Sequence, residues 1–549
     1  VVFSPLIGTW VLPKRIDGVG HGEGRLGRFY HGLVERLLDH GLTTGLAAIV
    51  LLGLSLYGAT LLQQQFFPMS DRPELLVDLS LPQNASLDAT DRATRRVEAL
   101  LSADPDVDHF STYVGSGAIR FYLPMDVLLD NDNMSQIVVV ARDAEQRDAL
   151  KARLETAFKA DFRDITARVS PLELGPPVGW PVKYRVTGPD TAKVRDYAMR
   201  LANIVAGSPL SRGVTLTSGE PQKAVEVVVN QTEARAVGLS SQDIASTLAV
   251  IFSGTPVTQI RDGNRFVPVV ARGTPEARRD LGTVANLQIK SATGHNIPLR
   301  QVASLSYGVE DPIIWRRQRE PIITVEADTV GGAEAATVVS QLKPEIERFR
   351  AGLPHGYDVA VGGTVEEAEK GNQSILAVVP MMLGVMVSLL MLQLRSFSRT
   401  AMALLMAPFG LIGVVAAMLP TGSAMGFVAQ LGVIALAGMI IRNAVILIQE
   451  AETNRAAGLG AREAVVNAAR HRSRPILLTA LAAILGMLPI SMETFWGPMA
   501  FAVIGGLTAA TVLTLTLLPA VRFALTRWEQ GREAGRRAGA DVTCATLES

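Results

Sequence analysis

The sequence predicts an α-helical polytopic membrane protein: six transmembrane helices in this chain, with a large α+β region between the first and the second. Three features of the chain predict it. Of its 549 residues, 48% are hydrophobic, and many of these gather into stretches of the roughly 20 residues that one bilayer crossing needs. Arginines concentrate in alternate connections between those stretches. The long connection Asp71–Lys370 instead alternates strand and helix patterns.

Lys plus Arg equal Asp plus Glu at 52 each, a balance that points to no nucleic-acid partner. The one cysteine, Cys544, leaves neither a disulfide framework nor a thiolate metal site within the chain. His21, His31, His40, His109, His295, His355 and His471 are scattered without ligand spacing.

In chain order, Val1–Pro13 is apolar but too short to cross a bilayer and reads as the tail of a helix whose start has been cut away. The glycine-rich Gly18–Gly24 follows no strand and opens no helix, so it fits a flexible linker rather than a phosphate loop. Residues 1–40 are therefore expected to be the end of a truncated transmembrane helix plus a cytoplasmic linker. Gly41–Phe67 is the first span and Gly371–Leu394 the second. Thr400–Ile441 holds no charged residue and is too long for one helix; it breaks at Pro420-Thr421-Gly422 into the third and fourth spans. Pro475–Met492 and Thr494–Val521 are the fifth and sixth, separated by Glu493.

Lys14, Arg15, Arg25, Arg28 and Arg36 precede the first span. Arg395 and Arg399 lie between the second and third, and Arg455, Arg462, Arg470, Arg472 and Arg474 between the fourth and fifth. Arg522, Arg527, Arg532, Arg536 and Arg537 follow the sixth, whereas the connections at Pro420 and Glu493 carry neither Lys nor Arg. The positive-inside rule places the basic loops and both chain ends in the cytoplasm, and Asp71–Lys370 outside it.

Within that outer region Leu75–Leu81, His109–Val114, Gln136–Ala141 and Ile165–Ser170 read as strands. Ala93, Val97, Leu100 and Leu101 share one helical face, and Leu150, Leu154 and Phe158 another. The rhythm repeats with Val182–Val186, a helix carrying Val194, Ala198, Leu201 and Val205, and strands Val214–Thr217 and Ala224–Val229. Ser240 caps a further helix, with Asp243 completing the box. Asp262-Gly263, between Val257–Ile260 and Phe266–Val270, signals a tight hairpin. Ferredoxin-like βαβ modules plus an insertion fit this rhythm. The expected divisions are a first module at 68–178, a second at 179–254 with 322–370, an insertion at 255–321, a five-helix bundle at 371–525 and a cytoplasmic tail at 526–549.

Arg442 sits in the fourth span, with the apolar run continuing through Ala444–Ile448. A charge there costs roughly 2.5–3.5 kcal/mol unless it meets a partner or water. No other span contains an acid for it, so it either snorkels or pairs with polypeptide outside this sequence. Asn443 adds a second polar group. Pro408 reads as a packing kink rather than a hinge, and Gly432, Gly438 and Gly505-Gly506 as places of close helix approach. Phe110 and Tyr113 flank a strand end, where core packing competes with substrate contact. No Ser/His/Asp or paired-carboxylate arrangement is legible, which argues against an enzyme.

These features together resemble the C-terminal half of a resistance-nodulation-division (RND) transporter, in its hydrophobe/amphiphile (acriflavine-resistance, multidrug) branch. The segment Phe66-Phe-Pro-Met-Ser-Asp-Arg-Pro-Glu74 resembles that family's stretch leaving the first span. Gly438-Met-Ile-Ile-Arg-Asn-Ala-Val-Ile-Leu-Ile448 resembles its fourth-span motif, and Arg472-Ser-Arg-Pro-Ile-Leu-Leu-Thr479 with Gly486-Met-Leu-Pro489 its next span. The resemblance implies a homotrimeric drug exporter in the bacterial inner membrane, driven by the proton motive force without cofactor or metal. It implies a missing N-terminal half, a periplasmic membrane-fusion adaptor, an outer-membrane channel and small amphiphilic substrates. It assigns Arg442, Asn443, Arg474 and Thr479 to proton relay, Phe110 and Tyr113 to substrate binding, and the Asp262-Gly263 hairpin to docking. Arg442 departs from the lysine of the family, and a guanidinium stays charged where a buried lysine can release its proton. The alternatives are an exporter of a specific lipid or other compound, and a degenerate half acting as a membrane scaffold. The methionines form no cluster in the outer region, which speaks against a metal exporter.

Overall fold

A computed structural model describes the backbone of residues 25–545 apart from 276–277, 279–280 and 312, and side chains from 30 to 527 apart from those and 281. The expected helix tail Val1–Pro13 and the linker Gly18–Gly24 lie outside the described residues, as do the side chains of Arg25, Arg28, Arg532, Arg536, Arg537 and Cys544. The remainder of the expected linker is an α-helix, Arg25–Asp39.

Outside the bundle, strands β1 (Glu74–Ser80), β2 (Val107–Val114), β3 (Met134–Ala141) and β4 (Thr166–Pro171) form an antiparallel sheet ordered β2-β3-β1-β4. Alternate residues of a strand point to opposite faces. Leu75, Val77, Leu79, Ile137 and Val139 therefore meet Val97, Leu101, Leu150 and Leu154 of helices Leu87–Ala103 and Ala144–Asp161. Ser86 and Asp143 start those helices by accepting the amides of Ala89 and Gln146 at 3.3 and 2.7 Å. The other face carries Leu76, Tyr113 and Val138, and the loop after β2 folds back over it with Ala118, Tyr122 and Met125.

Strands β5 (Val182–Thr187) and β6 (Ser211–Leu216) begin a second module, which the chain then leaves. It builds β7 (Gln222–Val229), β8 (Thr255–Asp262), β9 (Arg265–Ala271), β10 (Gln288–Lys290), β11 (Asn296–Pro298) and β12 (Ala303–Glu310). It returns through β13 (Trp315–Arg317), β14 (Glu320–Thr329) and β15 (Asp358–Gly363). The order β6-β14-β5-β15 repeats that of the first sheet, and β13 shares the outer edge of β14 with β6. The interruption is wider at its start and narrower at its end than the expected 255–321. Strand β7 pairs with β12 rather than with the second sheet, and Trp315–Arg317 already belongs to that sheet. Ala234, Ile244, Ile289 and Leu299 give the insertion its own small core. Its helix Ser241–Phe252 opens with the capping box Ser240/Asp243. The hairpin turn is one residue later than expected: Asp262 pairs with Arg265, leaving Gly263-Asn264 as the turn with Gly263 at φ 57°.

Among the described residues six helices are long and apolar enough to cross a membrane: Gly41–Thr60, Thr364–Leu394, Phe397–Thr421, Phe427–Ala456, Ala461–Met492 and Gly497–Arg527. The first stops at Thr60 rather than Phe67, because Gln63–Phe66 bonds its carbonyls to the start of the fourth span instead of continuing the helix. The third bends through a 3₁₀ turn at Ala407–Phe409, centred on Pro408. The sixth helix runs on to Ala545, through the expected tail. Gly413 and Gly505 lie backbone against backbone, Gly506 meets Leu436, and a Cβ on Gly432 would stand 2.8 Å from Met499 Cγ. Gly438 differs: its Cβ position has no neighbour within 4 Å, so it brings no described helix closer.

Candidate functional site

In the fourth helix, Leu431, Ala435, Gly438, Arg442 and Gln449 are exposed. Their spacings of 4, 3, 4 and 7 place them on one face. The opposite face, with Leu436, Ile440, Leu447 and Ile448, is buried in the bundle. Arg442 thus projects from an apolar surface, while Asn443 points inward and is 4% exposed. The nearest acids toward the basic end of that helix are engaged elsewhere. Glu450 pairs with Arg472 at 2.6 Å, and Glu452 holds Arg399 at 2.7 Å together with the buried Arg522. Among the described residues no carboxylate pairs with Arg442. Arg474 and Thr479 are exposed on the fifth helix, and Thr479 Oγ1 donates back to the Pro475 and Ile476 carbonyls at 3.0 and 2.9 Å. No described hydrogen bond or ion pair joins either of them to Arg442.

A second feature lies between the two modules. The loop-covered face of the first sheet and the helix-free face of the central strands β5 and β14 of the second line a cavity of about 150 Å³. Asp78, Asp126, Glu173 and Glu326 line it against Arg168 and Lys183, with Tyr122 and Trp180 as its aromatic walls. Lys183 and Glu326 pair at 3.0 Å. Arg168 donates to the Gly179 carbonyl at 2.7 Å and lies over the Trp180 ring, 4.6 Å from its centre. Asp78 accepts from Gln136 Nε2 at 2.6 Å, and Glu173 accepts the Val178 amide at 3.1 Å. Burial pushes the Asp78 carboxyl above its ordinary pKa, opposed by the Arg168 charge and the Gln136 amide. Burial raises Glu173 likewise, opposed by the Val178 amide and Arg168.

Phe110 packs with the core beneath the helices, and Tyr113 joins the cluster on the opposite, cavity-side face; neither lines the cavity. The cavity carboxylates escaped the sequence reading. One signal was present: Asp78 interrupts the apolar run Leu75-Leu-Val-Asp-Leu79, where a strand buried on both faces would carry another apolar residue.

Six helices of membrane-spanning length and apolarity among the described residues, with a doubled ferredoxin-like region interrupted by an insertion, define a multi-pass membrane protein of the transporter class. The model of the AcrB/AcrD/AcrF family matches residues 23–526, and the chain belongs to this family of RND efflux transporters. It is 26% identical over 514 residues to the nickel-cobalt-cadmium resistance protein NccA of Alcaligenes xylosoxydans xylosoxydans, covering 90% of this chain and 47% of that one. It is 30% identical over 352 residues to the nickel and cobalt resistance protein CnrA of Cupriavidus metallidurans, covering 62% and 32%. The swarming motility protein SwrC of Bacillus subtilis is 22% identical over 556 residues, covering 96% and 50%. The crystal structure of a heavy metal efflux pump superposes with a TM-score of 0.77 at 24% identity, over 91% of this chain and 52% of that one, a likeness of fold. The chain spans about half the length of the curated relatives that it matches over nearly its full extent.

Proposed function

We propose that this chain is one repeat of a proton-driven exporter of cationic amphiphiles, placed in the bacterial inner membrane with its modules in the periplasm. The observation that carries this reading is Arg442, a fixed cation on an exposed apolar helix face with no described acid beside it. Transporters of repeated architecture build their ion paths between repeats. Arg442 would then oppose carboxylates of the other repeat, and protonation of those carboxylates would release it and shift the helices. Arg474 and Thr479 would belong to the same relay, and the complete machine would be a homotrimer with a periplasmic adaptor and an outer-membrane channel.

The cavity supports a cationic substrate. Four carboxylates face two cations there, and the Tyr122 and Trp180 rings offer flat apolar contact to a delocalised cation. Phe110, turned into the core, would shape the sheet, and Tyr113 would back the cavity wall. A divalent metal ion is the second reading. The names of NccA and CnrA favour it, and carboxylates ligate hard cations without any methionine cluster. Against it, no three His, Cys, Asp or Glu side chains among the described residues converge on one metal position.

The test is expression with the other repeat in an efflux-deficient bacterium. Lower ethidium accumulation, lost in Asp78→Asn, is the expected result. Tolerance to nickel or cobalt without any change in ethidium accumulation would select the metal, and neither effect would leave the scaffold alternative standing.

A further inference from the structure

We propose that Phe67 is the joint through which movement of the Arg442 helix reaches the wall of the cavity. This rests on the exporter reading above. The chain from Leu61 to Ser70 is a strap with bonds at both ends. At one end the Met425 amide donates to the Gln63 carbonyl at 2.8 Å and the Phe427 amide to the Phe66 carbonyl at 3.2 Å, so the strap is tied to the start of the fourth span. At the other end the Ser70 amide donates to the Leu172 carbonyl at 3.3 Å, and Met69 bridges to Glu173, whose carboxylate lines the cavity.

Phe67 sits between these ties. Its ring centre is 5.7 Å from that of Phe427 and 5.7 Å from that of Phe495, with which it stacks at 14°. On its third side it occupies the space of the missing side chain of Gly175: a Cβ there would lie 2.5 Å from the ring, at a backbone φ of 118°. Gly175 follows Glu173 in the turn that leads from the first module to the second. One ring thus touches the foot of the fourth span, the lead-in to the sixth and the cavity turn. The ring cluster belongs to neither the bundle core nor the cores of the first module, as a moving contact between two packed bodies would require.

Phe427 and Arg442 share one helix, about 22 Å apart at 1.5 Å per residue. A rigid helix carries an axial shift at Arg442 to Phe427, and the Phe67 ring passes it to the Gly175 turn. Phe67 contacts no substrate and is a positioning residue.

The experiment uses the complete transporter with both repeats, reconstituted in liposomes under an imposed proton gradient, with ethidium as the probe. Phe67→Ala is expected to leave the ethidium Kd and the transport KM within about twofold while lowering the maximal rate about tenfold or more. Phe67→Leu, which keeps most of the volume, should recover most of the rate and serves as the folding control. Phe495→Ala should lower the rate by itself and add little in the double variant, because both act through one contact. A full maximal rate in Phe67→Ala, or a Kd that weakens in step with the rate, would overturn the joint. Absence of ethidium binding and transport by the unmodified transporter would overturn the exporter reading and the joint with it, a result separable from the first two.

Discussion

The extramembrane modules and the helical bundle treat their apolar surface differently. In the modules the apolar faces between sheet and helices are closed: Leu75, Val77, Val97 and Leu101 in the first, and Val186, Val194, Leu201 and Val338 in the second, are all fully buried, whereas the hairpin of the insertion leaves Val257, Ile260 and Phe266 exposed. The bundle divides. About half of an 18-residue apolar stretch in each of its third, fourth and sixth spans is buried, at 44%, 50% and 56%. The first, second and fifth show 17%, 0% and 11%. Water forces the modules to close on themselves, since exposed apolar area costs about 25 cal/mol per Å². Lipid exerts no such force on the bundle, so its helices can present apolar faces outward. A charge on such a face calls for a partner, and Arg442 is exposed there with no carboxylate paired to it among the described residues.

The largest expected effect tests this directly. In the complete transporter, Arg442→Ala should reduce export to background with assembly and thermal stability unchanged, while Arg442→Lys keeps part of the activity because the charge remains. Normal export by the alanine variant would mean that the side chain only reaches toward water. Next is Glu452→Gln, which leaves the 2%-exposed Arg522 without this carboxylate. Loss of a buried ion partner costs about 3–5 kcal/mol, so the melting temperature of the detergent-solubilised chain should fall clearly. Leu101→Ala in the first module should cost about 2–5 kcal/mol through the cavity it leaves. The membrane counterpart Val385→Ala, 56% exposed, should stay within about 0.5 kcal/mol. Equal losses at Leu101 and Val385 would break the contrast between a water-closed module and a lipid-facing helix.

The smallest expected effect is a pH dependence of the cavity. Burial raises the pKa of Asp78 and Glu173. For such groups the protonated folded form is favoured; that contribution to stability is full below the ordinary carboxylate pKa and is lost as pH rises through the raised value. Cation affinity runs the opposite way, strong above the raised pKa and weakening as pH falls through it. Ethidium titrations across pH should show that loss at a midpoint above the usual carboxylate range, and Asp78→Asn should flatten the curve. A pH-independent Kd in the unmodified protein would remove these carboxylates from the site.

Much of this organisation is legible along the chain because it rests on local period. Strand alternation at Leu75–Leu81 and the helical stripe Val194, Ala198, Leu201 and Val205 are set by neighbours two to four residues apart, and so are uncharged spans bounded by arginines. The Ser240/Asp243 box is likewise local. Where two remote segments choose each other, the sequence is silent. Nothing in Gln222–Val229 says that it pairs with Ala303–Glu310 and so opens the insertion early. Nothing in Gln63–Phe67 says that its carbonyls serve Met425 and Phe427 instead of lengthening a helix. Gly432 and Gly438 look alike in sequence, yet one meets Met499 and the other meets nothing. By itself the sequence determined the class, the six spans and the isolated charge at Arg442, since hydropathy and charge are properties of residues. Only the tertiary structure decided that Arg442 faces outward while Asn443 faces in, and that Asp78, Asp126 and Glu173 share one cavity. Those are properties of packing between segments far apart in the chain.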